Sequence, residues 1–279
     1  MATIRFLRQS SRLHGALLIL VVSGILPTAA LSEESAGEGR QLPALSGDTV
    51  TVNGNGRTVW LHPTDAGLQQ KQMVIPRLCA PIRSIRWTSE SDAEIRFTPE
   101  LTTWAFSWQE APANPVIQVM LDGDPVLLQD QSVVTPDGDG SVMLHAHQAT
   151  TTGEKLRFEP QWYKNTVGYW TVASDYASWK FAVDQPGTFS VALLQGCGKG
   201  QGGSDGVVSL FQGDDCKAEV SFQALETGHF QNFRWNHLGH VTIAQAGQYE
   251  LRITPRKIAR NAMFDVRMVH LVRQAQPAE

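Results

Sequence analysis

The stretch 196–206 reads GCGKGQGGSDG, and two chemistries fit its spacing. Gly198, Gly200 and Gly203 satisfy G-x-G-x-x-G, a turn that lets the backbone approach a dinucleotide pyrophosphate. Gly202, Ser204 and Gly206 satisfy G-x-S-x-G, an elbow that presents a serine nucleophile. Each needs a strand before the loop and a helix after it. TFSVALL before the loop reads as a strand, but VVSLFQ after it reads as another strand. The loop is therefore read as a glycine-rich connection between two strands. Gly203, Ser204 and Asp205 are placed at the rim of a ligand site. His145 and His147 form His-x-His, a spacing that suits zinc, yet no third ligand follows from spacing. Asp137 and Asp139 in TPDGDGS resemble part of a calcium loop, but Gln148 stands where the bidentate acid belongs, so a plain turn is expected.

Two aromatic clusters carry more information. QWYKNTVGYW holds Trp162, Tyr163, Tyr169 and Trp170 beside Lys164 and Asn165. TGHFQNFRWNHLG holds Phe230, Phe233 and Trp235 beside Asn232 and Asn236. Flat apolar faces beside amides and hydroxyls suit a sugar, whose C–H patches pack on rings while polar neighbours satisfy its hydroxyls. Core packing is the competing role, and for Trp170 and Trp235 both stay open. Trp104, Trp108 and Trp179 sit in alternating strands and are expected in the core.

The elements that must position these residues are strands. Trp104, Phe106 and Trp108 alternate with polar or small residues, as do Trp179, Phe181 and Val183, and Tyr249, Leu251 and Ile253. Period-two patterning puts one face on a core and the other toward water. Asn53-Gly54-Asn55-Gly56, Asp122-Gly123-Asp124-Pro125 and Pro186-Gly187 punctuate the runs as turns. One brief helical turn fits near Asp65 to Gln70. The fold class is all-β, built as antiparallel sandwiches or barrels.

The N-terminus reads as an export signal over residues 1–30. Arg5, Arg8 and Arg12 precede the apolar run ALLILVVSGIL, and Thr28, Ala29 and Ala30 supply small residues. That run is too short to span a bilayer, so no membrane span is expected after its removal. Removing it leaves 20 basic against 27 acidic residues, a formal balance of −7. Nucleic acid is a poor partner for such a chain. Residues 31–45 read as a flexible lead-in. Cys79, Cys197 and Cys216 cannot all pair, and a Cys197–Cys216 bridge stays open.

From Trp170 to Val272 the chain resembles the galactose-binding-like jelly-roll modules of bacterial secreted sulfatases and glycosidases. The stretches that carry this are YWTVASDYASWKFAV, PGTFSVALLQGCGKGQGGSDGVVSL, ETGHFQNFRW, LGHVTIAQAGQYELRITP and AMFDVRMVHLV. Residues 48–108 are similar to the C-terminal sandwich of bacterial α-L-fucosidase-like proteins, through GDTVTVNGNGRTVWLHP, IPRLCAPIRSIRW and FTPELTTWAFSW. The resemblance implies a β-sandwich over 46–150, a connection over 151–168 and a jelly roll over 169–274. The matched positions hold no nucleophile or acid of the fucosidases, which implies a noncatalytic, exported (periplasmic or extracellular) protein that binds a glycan or polysaccharide. A docking module for a separate secreted sulfatase or glycosidase is the first alternative, and a glycoside hydrolase or esterase the second. In relatives the sugar meets aromatics and an Asn or Asp near the last strand, which implies a site of Tyr169, Trp170, Asn232, Trp235 and Asp265. Some relatives hold a structural calcium, whose ligands do not map onto this chain, and no other cofactor is implied.

Overall fold

The computed structural model describes residues 39–275, and the export-signal reading of 1–30 lies outside them. The first block carries β1 (Arg40–Gln41), β2 (Val50–Asn55), β3 (Thr58–Pro63), α1 (Asp65–Gln70), β4 (Gln72–Pro76), β5 (Ile82–Trp87), β6 (Arg96–Pro99), β7 (Thr103–Ser107) and β8 (Ile117–Leu121). These form two antiparallel sheets, ordered β1-β2-β3-β8-β5 and β4-β7-β6. Val50, Val52, Val59, Leu61, Trp104 and Phe106 turn inward, as their alternation requires. The helical turn at 65–70 forms where expected. Thr64 Oγ1 accepts from Gly67 N–H at 3.2 Å, and Lys71 ends the turn in the left-handed region at φ 51°. One expectation is corrected: part of the flexible lead-in is ordered. Leu42 N–H donates to Val52 O at 2.7 Å and Leu45 is buried, so apolar contact pins β1 onto β2.

The second block carries β9 (Val142–His145), β10 (Thr150–Thr152), β11 (Arg157–Glu159), β12 (Thr166–Gly168), β13 (Tyr176–Val183), β14 (Gly187–Cys197), β15 (Asp205–Gln212), β16 (Asp215–Gln223), β17 (His229–Ile243), β18 (Gly247–Lys257) and β19 (Asp265–Arg273). One antiparallel sheet runs β10-β13-β18-β15-β16. The other runs β11-β12-β19-β14-β17, with β9 also paired to β19. From β13 onward the chain passes repeatedly between the sheets, the antiparallel jelly-roll sandwich that the resemblance implies. Trp179 and Phe181 of β13, Phe189 and Leu193 of β14, Leu251 of β18 and Leu271 of β19 fill one shared core. Strands β9 to β12 come from 142–168, read in sequence as the end of the first block and a connection, yet they pair into these sheets.

Over the described residues the two blocks pack as one compact unit. Ile82 N–H donates to Pro160 O at 2.6 Å, and Trp162 N–H returns to Ile82 O at 3.0 Å. Arg157 Nη1 donates to Pro99 O at 2.8 Å. Asp175, fully buried, accepts the backbone N–H groups of Glu154, Lys155 and Leu156 at 2.8–2.9 Å, which fixes the entry to β11. All three cysteines are free thiols. Cys197 is buried on β14, whereas Cys216 is exposed on β16 in the other sheet.

Candidate functional site

The glycine loop is a connection between strands. Ser204 is fully buried, its Oγ accepts from Ala259 N–H at 3.0 Å, and strand β15 follows at once. The helix that either motif needs is absent, so neither a pyrophosphate turn nor a nucleophile elbow forms here. Asp205 Oδ1 accepts from Gln223 Nε2 at 3.3 Å. Gly203 N–H pairs with Ala224 O at 3.1 Å. None of Gly203, Ser204 and Asp205 lines the cavity described next, which corrects their expected place at its rim.

That cavity, of about 220 Å³, is walled by Glu159, Lys164, Tyr169, Phe230, Gln231 and Asp265, among others. Its floor comes from strand ends brought together by pairing. Glu159 closes β11 opposite Thr166, Val167 of β12 pairs with Val266 of β19, and Asp265 opens β19 opposite Gly196. Thr166 Oγ1 donates to Val266 O at 2.8 Å and locks the seam. Between β11 and β12 a tight turn lifts Lys164 over the floor. Lys164 and Asn165 N–H both donate to Gln161 O at 2.8 Å, and Asn165 takes φ 41°. Arg267 supports this turn from beneath. Its Nη2 donates to Lys164 O at 2.7 Å and Tyr163 O at 2.9 Å, while the guanidinium lies 3.8 Å from the Phe233 ring centroid.

Glu159 and Asp265 are both buried. Lys164 Nζ forms an ion pair with Glu159. A Cβ on Gly168 would lie 2.7 Å from Asp265 Oδ1 and 2.7 Å from Glu159 Oε2. The two carboxyl oxygens are thus no farther apart than twice that distance, and only glycine fits between them. Burial holds the Asp265 carboxyl well above the ordinary carboxylate range, the Glu159 charge adds to this, and Lys164 opposes it. Burial pulls the Lys164 ammonium down, but the hydrogen bond and charge of Glu159 outweigh it and hold its pKa above the usual value. The cavity therefore presents two buried carboxyl groups and an ammonium donor.

Tyr169 supplies the apolar wall. It is 48% exposed and stands at φ 60°, the left-handed region that a bulky side chain rarely enters. The Arg157 guanidinium stacks 4.0 Å from its ring centroid. Thr171 N–H donates back to Tyr169 O at 2.9 Å, which holds the kink.

Of the five residues expected to meet a sugar, Tyr169 and Asp265 come together here. Trp170 is corrected. Its ring is 0% exposed, packs 5.4 Å from Phe264, and donates Nε1–H to Asp175 O at 2.9 Å. Asn232 and Trp235 are not among the residues lining this cavity. Asn232 Nδ2 is engaged by Thr227 O at 2.5 Å. Trp235 is 42% exposed on β17 beside His270, ring centroids 6.0 Å apart. Lys164 and Phe230 lay in the two aromatic clusters but outside the expected site, whereas Glu159 and Gln231 were not singled out from the sequence. The signal for Glu159 was an acid set between Phe158 and Pro160. His145 and His147 stack with centroids 5.3 Å apart, and no group of three or more His, Cys, Asp or Glu suited to a metal occurs among the described residues. No helix among them is long and apolar enough to cross a membrane.

No protein-family model matches the chain, and no curated protein matches it. Several solved structures are similar in three dimensions. An α-L-fucosidase from Vibrio sp. strain EJY3 aligns with 84% of this chain and 41% of its own, at 15% identity and a TM-score of 0.34. The C-terminal CBM6 of LamC, a marine laminarinase from Zobellia galactanivorans, aligns with 48% of this chain and 99% of its own, at 15% identity and a TM-score of 0.39. A family 35 carbohydrate binding module from Clostridium thermocellum aligns with 48% of this chain and 98% of its own, at 17% identity and a TM-score of 0.37. The chain thus spans about two fifths of the fucosidase and nearly all of each module.

Proposed function

We propose that the cavity around Tyr169 binds a carbohydrate, and that the protein is an exported, noncatalytic, glycan-associated accessory. One observation carries this reading: a half-exposed tyrosine ring shares one small cavity with two buried carboxyl groups and an ammonium. A sugar has the matching duality. Its C–H face packs on the ring, and its hydroxyls take donors and acceptors of both kinds. Export is supported by the basic residues Arg5, Arg8 and Arg12 ahead of an apolar run. A glycan array probed with the purified mature chain, with calcium and again with chelator, tests the reading. Specific binding that Tyr169→Ala reduces by roughly tenfold or more, the scale of an aromatic contact plus its buried area, supports it. A folded protein that binds no glycan in either condition removes it, and capture of a secreted sulfatase or glycosidase would then favour docking.

A second reading rests on the same carboxyl pair. Retaining glycosidases carry two carboxyls about 5–5.5 Å apart, one of them protonated. The nearest oxygens of Glu159 and Asp265 lie within 5.4 Å of each other, and burial raises the Asp265 carboxyl above its ordinary range. Turnover of chromogenic glycosides that disappears in both Glu159→Gln and Asp265→Asn would establish hydrolysis. Binding without turnover keeps the accessory role.

A further inference from the structure

A second cavity, of about 390 Å³, opens where the two blocks meet. Its walls come from the end of β4, the chain around 127–132, the start of β10 and the middle of β13. Arg77, Lys180, Gln129, Gln131, Gln148 and Ser132 provide polar groups, and no Asp or Glu is among its described lining residues.

Arg77 is the unusual member. It is 1% exposed. Nη2 donates to Ala149 O at 2.9 Å and His147 O at 3.2 Å, and the guanidinium lies 4.9 Å from the Phe158 ring centroid. Nε and Nη1 have no hydrogen-bond partner, and no carboxylate among the described residues pairs with the side chain. Burial draws its pKa down to about 10, with Cys79 opposing, so the group stays charged at neutral pH. A buried charge without a counter-ion is costly, and buried arginines are nearly always paired. Lys180, exposed on β13 at the same cavity, forms no ion pair among the described residues. Two cations, side-chain amides and hydroxyls, with no acid, are a donor set for oxygen anions.

We infer that this cavity binds a small oxyanion, a sulfate, phosphate or carboxylate group, held by Arg77 and Lys180. The anion supplies the counter-charge that Arg77 lacks. It is either a free inorganic ion or the acidic substituent of a sugar, and the same donors serve both. The inference stands apart from the Tyr169 pocket, since the two cavities share no lining residue.

Isothermal titration of the purified protein tests it, with sodium sulfate and with methyl glucuronide, at an ionic strength fixed by sodium chloride. Methyl glucoside is the neutral control. Fixed ionic strength and saturation separate binding from the general stabilisation that sulfate gives any protein. Arg77→Met also removes two hydrogen bonds between the blocks, so Lys180→Gln, at an exposed position, carries the comparison together with Arg77→Lys. The expected result is saturable binding that Lys180→Gln weakens roughly tenfold, as for loss of one charge-assisted hydrogen bond. Binding of both acids shows that the anionic group itself is recognised. Sulfate alone identifies a free ion, and glucuronide alone a sugar carboxylate. Saturable binding of neither, or binding unchanged in both variants, overturns the inference.

Discussion

At the scale of single residues, Tyr169 and Trp170 show what one peptide unit can decide. Both are aromatic neighbours in the sequence, and both were expected to meet a ligand. A positive φ at Tyr169 breaks the alternation and turns its ring outward, while Trp170 fills the core against Phe264. No propensity rule reads that kink from the letters, which is why the site was half legible. The two residues therefore separate by experiment. Trp170→Ala should lower stability by about 3–5 kcal/mol in a urea titration, the cost of emptying a buried tryptophan site. Tyr169→Ala should leave the urea midpoint nearly unchanged and lose ligand. Asp265 has a different signature. Its folded pKa lies above the unfolded value of about 3.9, so its contribution is full below that pH and is lost as pH rises through the folded pKa. Stability measured between about pH 4 and pH 8 should thus fall more steeply in the wild type than in Asp265→Asn, with a slope difference of up to about 1.4 kcal/mol per pH unit.

At the scale of elements, strands were readable because alternation is a local signal. Trp104, Phe106 and Trp179 lie in the core as their spacing demands, and the turn at Asp65–Gln70 forms on its Thr64 cap. The floor of the Tyr169 cavity was not readable, because Glu159, Gly168 and Asp265 meet through strand pairing across about a hundred positions. The entry to β11 rests on a buried side chain. Asp175 takes three backbone N–H groups, and no cation is needed there because oriented amides stabilise the carboxylate. Asp175→Ala strands those three donors and should destabilise by at least about 3 kcal/mol, read by thermal or urea unfolding. Thiol chemistry reports on the same sandwich. Burial raises the Cys197 thiol to about 11, so a thiol reagent should label exposed Cys216 quickly and Cys197 only on unfolding. A fast reaction at Cys197 would contradict the buried position of β14.

At the scale of the whole molecule, the all-β character was legible throughout, and the way the blocks share their edges was not. A reading by resemblance places a seam between residue 150 and residue 169. The chain instead sends β9 to β12 across that seam into the second block's sheets, while Ile82 of the first block holds both sides of the Pro160–Trp162 turn. Lys164 and Glu159 of the Tyr169 cavity stand on that turn and the strand before it. A second copy of the jelly roll cut at residue 169 would carry Tyr169 and Asp265 but neither of those partners. For inheritance this means that the stretch from Glu159 to Asp265 has to travel as one cassette. Recombination at the apparent seam would scatter the pocket between two genes, whereas exchange ahead of Arg40 would pass it on whole.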